Sequence, residues 1–151
     1  MRQVSGEREY RVITYEYAMA AARAQRLGSS AAAFHFISGA GAHLNSRFMW
    51  ARVKAETERD LISQFDAVCW RPAAIDGIPS ASEPLLYKAF RPVSRIILRP
   101  FRGLYVTGWD LGLAMLLATS EGIRSRLIEN AGIRDMADRA RVRLSSGGAV
   151  L

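Results

Sequence analysis

Cysteine is almost missing from this chain. Cys69 stands alone, which excludes an intrachain disulfide and a cysteine-based metal site. It lies in an apolar run and reads as a buried packing thiol. Lysine is nearly as scarce: Lys54 and Lys88 are its two examples, so the net charge of +7 rests on arginine. A basic protein can meet nucleic acid, anionic lipid or an anionic ligand. Charge speaks to association rather than fold, and an arginine-rich composition by itself calls for no nucleic acid partner. No run of about 18 apolar residues occurs, so no membrane-spanning helix is expected. Met1-Arg2-Gln3-Val4-Ser5-Gly6-Glu7 carries no apolar signal region, and a cytoplasmic location is expected.

What is present suits one packed domain. The chain has 151 residues and is 50% hydrophobic. The expected domain covers 1–144. A flexible tail, 145–151, opens on the small polar run Ser145-Ser146-Gly147-Gly148. From about Glu7 to Arg26 the pattern is helical, with Ile13, Tyr17, Ala20, Ala21 and Ala24 at core spacing and Gly28 placed to stop it. The apolar run 32–38 suits a strand buried on both faces. Gly39, Ala40 and Gly41 break it, and Asn45 or Ser46 is placed to cap a helix to about Ser63. Arg52/Glu56 and Lys54/Glu58 mark that helix's exposed side. A second buried strand, 67–71, ends at Arg71-Pro72. Strand, helix and strand form one βαβ unit, whose strands should be parallel.

Beyond it the pattern is less regular. Tyr105-Val106 reads as a short strand. Thr107-Gly108-Trp109-Asp110 has capping-box spacing before an apolar helix through Leu117. Leu127-Ile128 reads as a last strand. Asn130 is placed to cap a final helix with Ile133, Met136, Ala137 and Ala140 on its core face.

Gly39-Ala40-Gly41 follows a strand and precedes a helix, but Leu44 stands where a dinucleotide fingerprint needs its third glycine. The loop reads as a turn rather than a phosphate cradle. Ser38, Lys54 and Arg71-Pro72 are more informative. Ligands of open parallel sheets bind beyond the carboxyl ends of strands, and Ser38 and Pro72 lie at two such ends, with Lys54 on the helix between. Taken singly, a serine is usually a cap, a lysine usually solvated, and a proline usually a strand stop.

The series Phe36-Ile37-Ser38-Gly39-Ala40-Gly41, Ser46 to Glu58, and Arg71-Pro72-Ala73-Ala74-Ile75 resembles the atypical short-chain dehydrogenase/reductases of the NAD-dependent epimerase/dehydratase-like group. Tyr10 to Arg23, Tyr105 to Met115 and Ile128 to Ile133 resemble the same group, in order along the chain. The resemblance implies an α/β fold: the C-terminal part of a Rossmann-like parallel sheet with flanking helices, its N-terminal strands and Gly-rich loop missing. It implies NAD or NADP as cofactor and a small-molecule substrate of unknown identity. It implies catalytic roles for Ser38, which polarises a substrate oxygen, and Lys54, which holds the nicotinamide ribose. Ser38, Lys54, Arg71, Pro72, Ala73 and Ile75 would line the cofactor. The family's acid/base tyrosine falls on Trp50, whose indole does not titrate. The ordinary reading of Trp50 is core packing. With neither the tyrosine nor the Gly-rich loop, the expected protein is a truncated, catalytically impaired oxidoreductase- or epimerase-like chain that binds NAD(P) weakly alone.

A second reading comes from another class. Lys88, Arg91, Arg95, Arg99 and Arg102 recur at spacings of 3, 4, 4 and 3, opposite Leu85, Leu86, Phe90, Val93, Ile96 and Ile97. Such a basic amphipathic segment, 85–102, suits a non-catalytic module peripheral to an anionic membrane.

Overall fold

The two apolar runs become hydrogen-bonded neighbours. In the computed structural model, which describes residues 6–29, 31–76 and 105–147, β1 (His35–Ile37) pairs in parallel with β2 (Val68–Arg71). The central strand β2 also pairs in parallel with β5 (Arg126–Glu129), giving the order β1-β2-β5. A separate parallel pair joins β3 (Ile75–Asp76) to β4 (Val106–Thr107). The architecture is α/β, with a three-stranded parallel sheet and flanking helices. Among the described residues no helix is long and apolar enough to cross a membrane. The basic segment 85–102 lies outside the described residues, and with it the membrane-surface reading.

Side chains of β2 alternate between two cores, as a strand buried on both faces requires. Val68 and Trp70 join Ile128 against α4 (Gly108–Ser120) and α5 (Asn130–Ser145). Cys69 points the other way, among Met19, Ala22, Leu61 and Ala67, towards α2 (Tyr17–Gly28) and α3 (Met49–Phe65). The expected core face of α5 is correct: Ile133, Met136, Ala137 and Ala140 are all buried. The capping box also forms. Thr107 Oγ1 accepts from the Asp110 amide and Asp110 Oδ2 from the Thr107 amide, both at 3.0 Å. α5 runs through Ser145, one residue into the segment expected as a tail.

The run 32–38, expected as a strand buried on both faces, is a strand only over His35–Ile37, and at the edge of the sheet its Ile37 is 46% exposed. The structure corrects four further local expectations. First, Ile13, Tyr17, Ala20, Ala21 and Ala24 are all exposed. The first helix is α1 (Glu7–Arg11), a π-helical turn (Val12–Glu16) and α2 in unbroken succession. A π turn holds an extra residue and so shifts the phase of everything after it. Tyr15, Ala18, Met19 and Ala22 face the core instead. Second, α3 starts only at Met49, and neither Asn45 nor Ser46 caps it. The Ser46 hydroxyl turns back to accept from the Phe48 amide at 3.1 Å. Third, the pairs along α3 do not form. Glu56 binds Arg11, Arg52 binds Glu7, and Glu58 is buried against Arg71, because α1 and β2 lie against the surface expected to be free. Fourth, Asn130 makes no cap. Its Oδ1 accepts from the Ala73 amide at 3.0 Å, joining the start of α5 to the loop after β2.

Candidate functional site

β1 and β2 run parallel, so their carboxyl ends open at the same edge of the sheet. Ser38 is the residue after β1. Its amide donates to the Trp70 carbonyl at 2.7 Å, carrying the strand pairing one step beyond β1 itself. The residue is 5% exposed, and its Oγ is buried with no hydrogen-bond partner. An unsatisfied buried hydroxyl costs about 1–3 kcal/mol, so each such group calls for an explanation.

Lys54 reaches this strand end from the second turn of α3. Its Nζ donates to the Ser38 carbonyl at 2.8 Å. Burial lowers the pKa of the ammonium, and nearby Glu58 partly opposes that shift. An ammonium has three donors. One is engaged by Ser38, which leaves two for an acceptor brought to the strand ends.

The loop after β2 closes the other side. Pro72 is buried, and its carbonyl accepts from the Ala40 amide at 3.0 Å, tying the two strand-end loops together. Ala73 is exposed, held by Asn130. Gly41 turns the first loop at φ +87, a conformation that disfavours a side chain. A Cβ there would lie 3.6 Å from the Trp50 ring. Trp50 is 39% exposed, so it is not a core residue as its ordinary reading holds; it borders the loop with part of its indole open to solvent.

Two of the remaining candidates sit differently. Arg71 gives its guanidinium to protein carboxylates, Nε and Nη2 to Glu58 at 2.9 and 2.6 Å and Nη1 to Glu129 at 2.8 Å. These bonds, Glu58 foremost, raise its pKa and lock α3, β2 and β5 together. Ile75 lies on β3 and packs on the α4/α5 core. Tyr15 is not available as a proton donor at the strand ends, because its hydroxyl donates to Asp60 at 2.8 Å. Tyr17 is exposed at 63% on the far side of its helix.

Sequence reasoning missed Glu58 and Asn130. Glu58 carries no signal that separates it from its charged neighbours Glu56, Arg59 and Asp60. Asn130 carries none beyond its place at a strand end. Cys69 is buried, and burial pushes its thiol up to about 12, which keeps it protonated and unreactive. Among the described residues no cluster of His, Cys, Asp and Glu could hold a metal ion.

The chain matches no family model and no curated protein.

A half-buried ammonium, a buried unpaired hydroxyl and an indole edge surround two loops at the carboxyl ends of adjacent parallel strands. Such a set can hold a hydroxylated, planar ligand through hydrogen bonds to the ammonium and ring contact with the indole. Of these three groups Lys54 alone is a titrating one, and burial moves its pKa down from the ordinary lysine value.

Proposed function

We propose that the chain is part of a Rossmann-like NAD(P)-binding domain of oxidoreductase or epimerase type, catalytically impaired, with its ribose-nicotinamide subsite at Ser38, Lys54 and Pro72-Ala73. The observation that carries this reading is the Lys54 bond to the Ser38 carbonyl at the strand ends, beside a buried Ser38 hydroxyl without a partner. Parallel order, strand-end location and the lysine on the intervening helix support it as well.

The fit to the cofactor is uneven. For the ribose, Lys54 offers two further donors, and Ser38 and Trp50 border the same loops. For the pyrophosphate, the 151 residues hold no glycine-rich turn of the G-x-G-x-x-G or G-x-x-G-x-x-G kind. The cofactor would supply hydride transfer, and the protein would supply its placement. Arg71 would contribute backbone position only, since its side chain is engaged by Glu58 and Glu129. The impairment follows from Trp50, which cannot act as a general acid.

Nicotinamide mononucleotide tests the subsite without requiring the missing phosphate turn. Titrated at millimolar concentration against the ¹⁵N-labelled chain, it should shift the amides of Ser38, Gly39 and Ala73. Lys54→Met should abolish those shifts. Shifts confined to another surface, or unchanged in Lys54→Met, would overturn the assignment. NADH and NADPH should bind only at millimolar levels. Several charge-assisted bonds to phosphate are lost, each worth roughly 1.5–3 kcal/mol, which is enough to move a micromolar site to millimolar. Low-micromolar binding by calorimetry would contradict that part of the reading.

A further inference from the structure

On the opposite face of β1, a hydrogen-bond chain runs from the core to α4, and its direction is fixed by chemistry. Trp70 is fully buried, and an indole N–H can only donate. Its Nε1 lies 3.0 Å from His35 Nδ1, so Nδ1 is the acceptor and carries no proton. A neutral imidazole then holds its proton on Nε2. Nε2 lies 3.1 Å from Thr119 Oγ1, and the Thr119 hydroxyl donates to the Met115 carbonyl at 2.9 Å. Every link has one donor and one acceptor, and the polarity runs from β2 through β1 to α4. The planes of the two rings are inclined by 17°, with centroids 5.8 Å apart.

Protonation at Nδ1 would set two N–H groups against each other at 3.0 Å. The Trp70 N–H, buried in the α4/α5 core, would lose its acceptor. β1 is three residues long and, among the described residues, pairs with β2 alone. It also leads directly into Ser38. We propose that His35 is an acid-sensitive latch: neutral, it fastens the edge strand to β2 and α4; protonated, it frees that strand and the loop beginning at Ser38.

The surroundings make the latch one-directional. Burial, and secondarily Arg124 in the turn after α4, hold the imidazole below its ordinary value. Arg124 is itself tied to the Ala31 carbonyl. The side chains facing His35 from β2 and α4, Trp70 and Thr119, are neutral, and among the described residues no carboxylate offsets the arginine. A histidine with a depressed folded pKa binds its proton more readily when unfolded. Its stabilising contribution is present above the ordinary imidazole value and is lost as pH falls from there towards the folded value.

Imidazole ¹H–¹⁵N spectra of the intact chain test the latch directly, because the sequence has two histidines, His35 and His43. His43→Gln assigns the signals. His35 should show the Nε2–H tautomer and titrate below about 6.5. Amide exchange at 35–38, corrected for intrinsic pH effects, should quicken at least tenfold on passing through that titration. Thermal midpoints should fall by about 3–5 °C per pH unit across the window, and His35→Gln should remove that slope. An Nδ1–H tautomer, titration at the ordinary value, exchange unchanged through it, or an acid slope that survives in His35→Gln would each overturn the proposal. The tautomer and exchange measurements need only the unmutated chain, so they decide the matter even if His35→Gln fails to fold.

Discussion

The two faces of the sheet are held by different forces. Against α4 and α5 lie Val68, Trp70, Val106, Leu117 and Ile133, each with 1% exposure or less. Charges there stay at the rim, where Arg139 and Arg143 share Glu121 and Arg141 meets Asp110. Against α1 to α3 the apolar cluster is smaller, and buried or half-buried polar groups stand among it: Glu58 with Arg71, Lys54 with Ser38, Tyr15 with Asp60. Apolar burial is non-directional and contributes stability in proportion to area. Buried ion pairs add little net stability, because desolvation offsets attraction, but they punish the loss of one partner. The contrast teaches that the α4/α5 face acts as the foundation, while the α1–α3 face positions the polar groups of the candidate site.

Truncation in the larger core should be the most damaging change. Leu117→Ala or Ile133→Ala removes a fully buried side chain between α4, α5 and the sheet. The expected loss is about 2–5 kcal/mol, transfer and cavity terms together. Urea unfolding followed by circular dichroism measures it. A loss below about 1 kcal/mol for both would mean that this face is not the main source of stability.

Glu58→Gln comes next. It keeps the shape of the side chain but removes the charge that receives two Arg71 bonds. Removing one partner of a buried pair costs roughly 3–5 kcal/mol. Arg71 retains Glu129 and some contact with solvent, so about 2 kcal/mol is expected here. Replacing the pair together, as Glu58→Leu with Arg71→Met, should cost less than Glu58→Gln alone. If the double change costs more, the pair contributes net stability and the contrast between the faces weakens.

How much of this the sequence discloses follows the same division. Where apolar burial governs, pattern suffices. Short runs rich in Val, Ile, Phe and Trp identify β1 and β2 as neighbouring parallel strands, the spacing of Ile133, Met136, Ala137 and Ala140 identifies the inner face of α5, and Thr107 with Asp110 identifies the start of α4. Where polar partners decide, pattern fails. The π turn at Val12–Glu16 leaves no mark in local periodicity, so Ile13, Tyr17 and the alanines pass for a core face when Tyr15, Met19 and Ala22 form it. Glu58 passes for a solvated charge because its partner lies on a strand distant in sequence. At the candidate site, strand-end placement makes Ser38, Lys54 and Pro72 legible. The engagement of Arg71 by carboxylates and the hold of Asn130 on Ala73 depend on long-range packing that spacing does not encode.

The smallest expected effect sharpens the contrast most. Tyr15 lies within the π turn, and that turn aims its hydroxyl at Asp60 on α3. Asp60 also accepts from Arg59 at 2.7 Å, and the Arg59 bond, with help from the tyrosine, holds its carboxyl below the usual range. The Tyr15 hydroxyl in turn is raised above its ordinary value, first by donating to Asp60 and then by burial. The sign follows. A phenol that holds its proton more tightly when folded contributes stability below about pH 10, and loses it as pH rises through the folded value. Tyr15→Phe deletes one hydrogen bond and leaves Asp60 its arginine, so the cost near neutral pH should be about 1 kcal/mol. The variant should also lose part of the alkaline decline in stability that the unmutated chain shows above pH 10. Denaturant titrations at pH 7 and pH 10.5 separate the two effects. A cost near 3 kcal/mol at pH 7 would mean that the π turn itself depends on this bond, and that the α1–α3 face is secured by its polar contacts as strongly as the opposite face is by its core. No change at either pH would mean that the turn is held by the packing of Met19 and Ala22 alone.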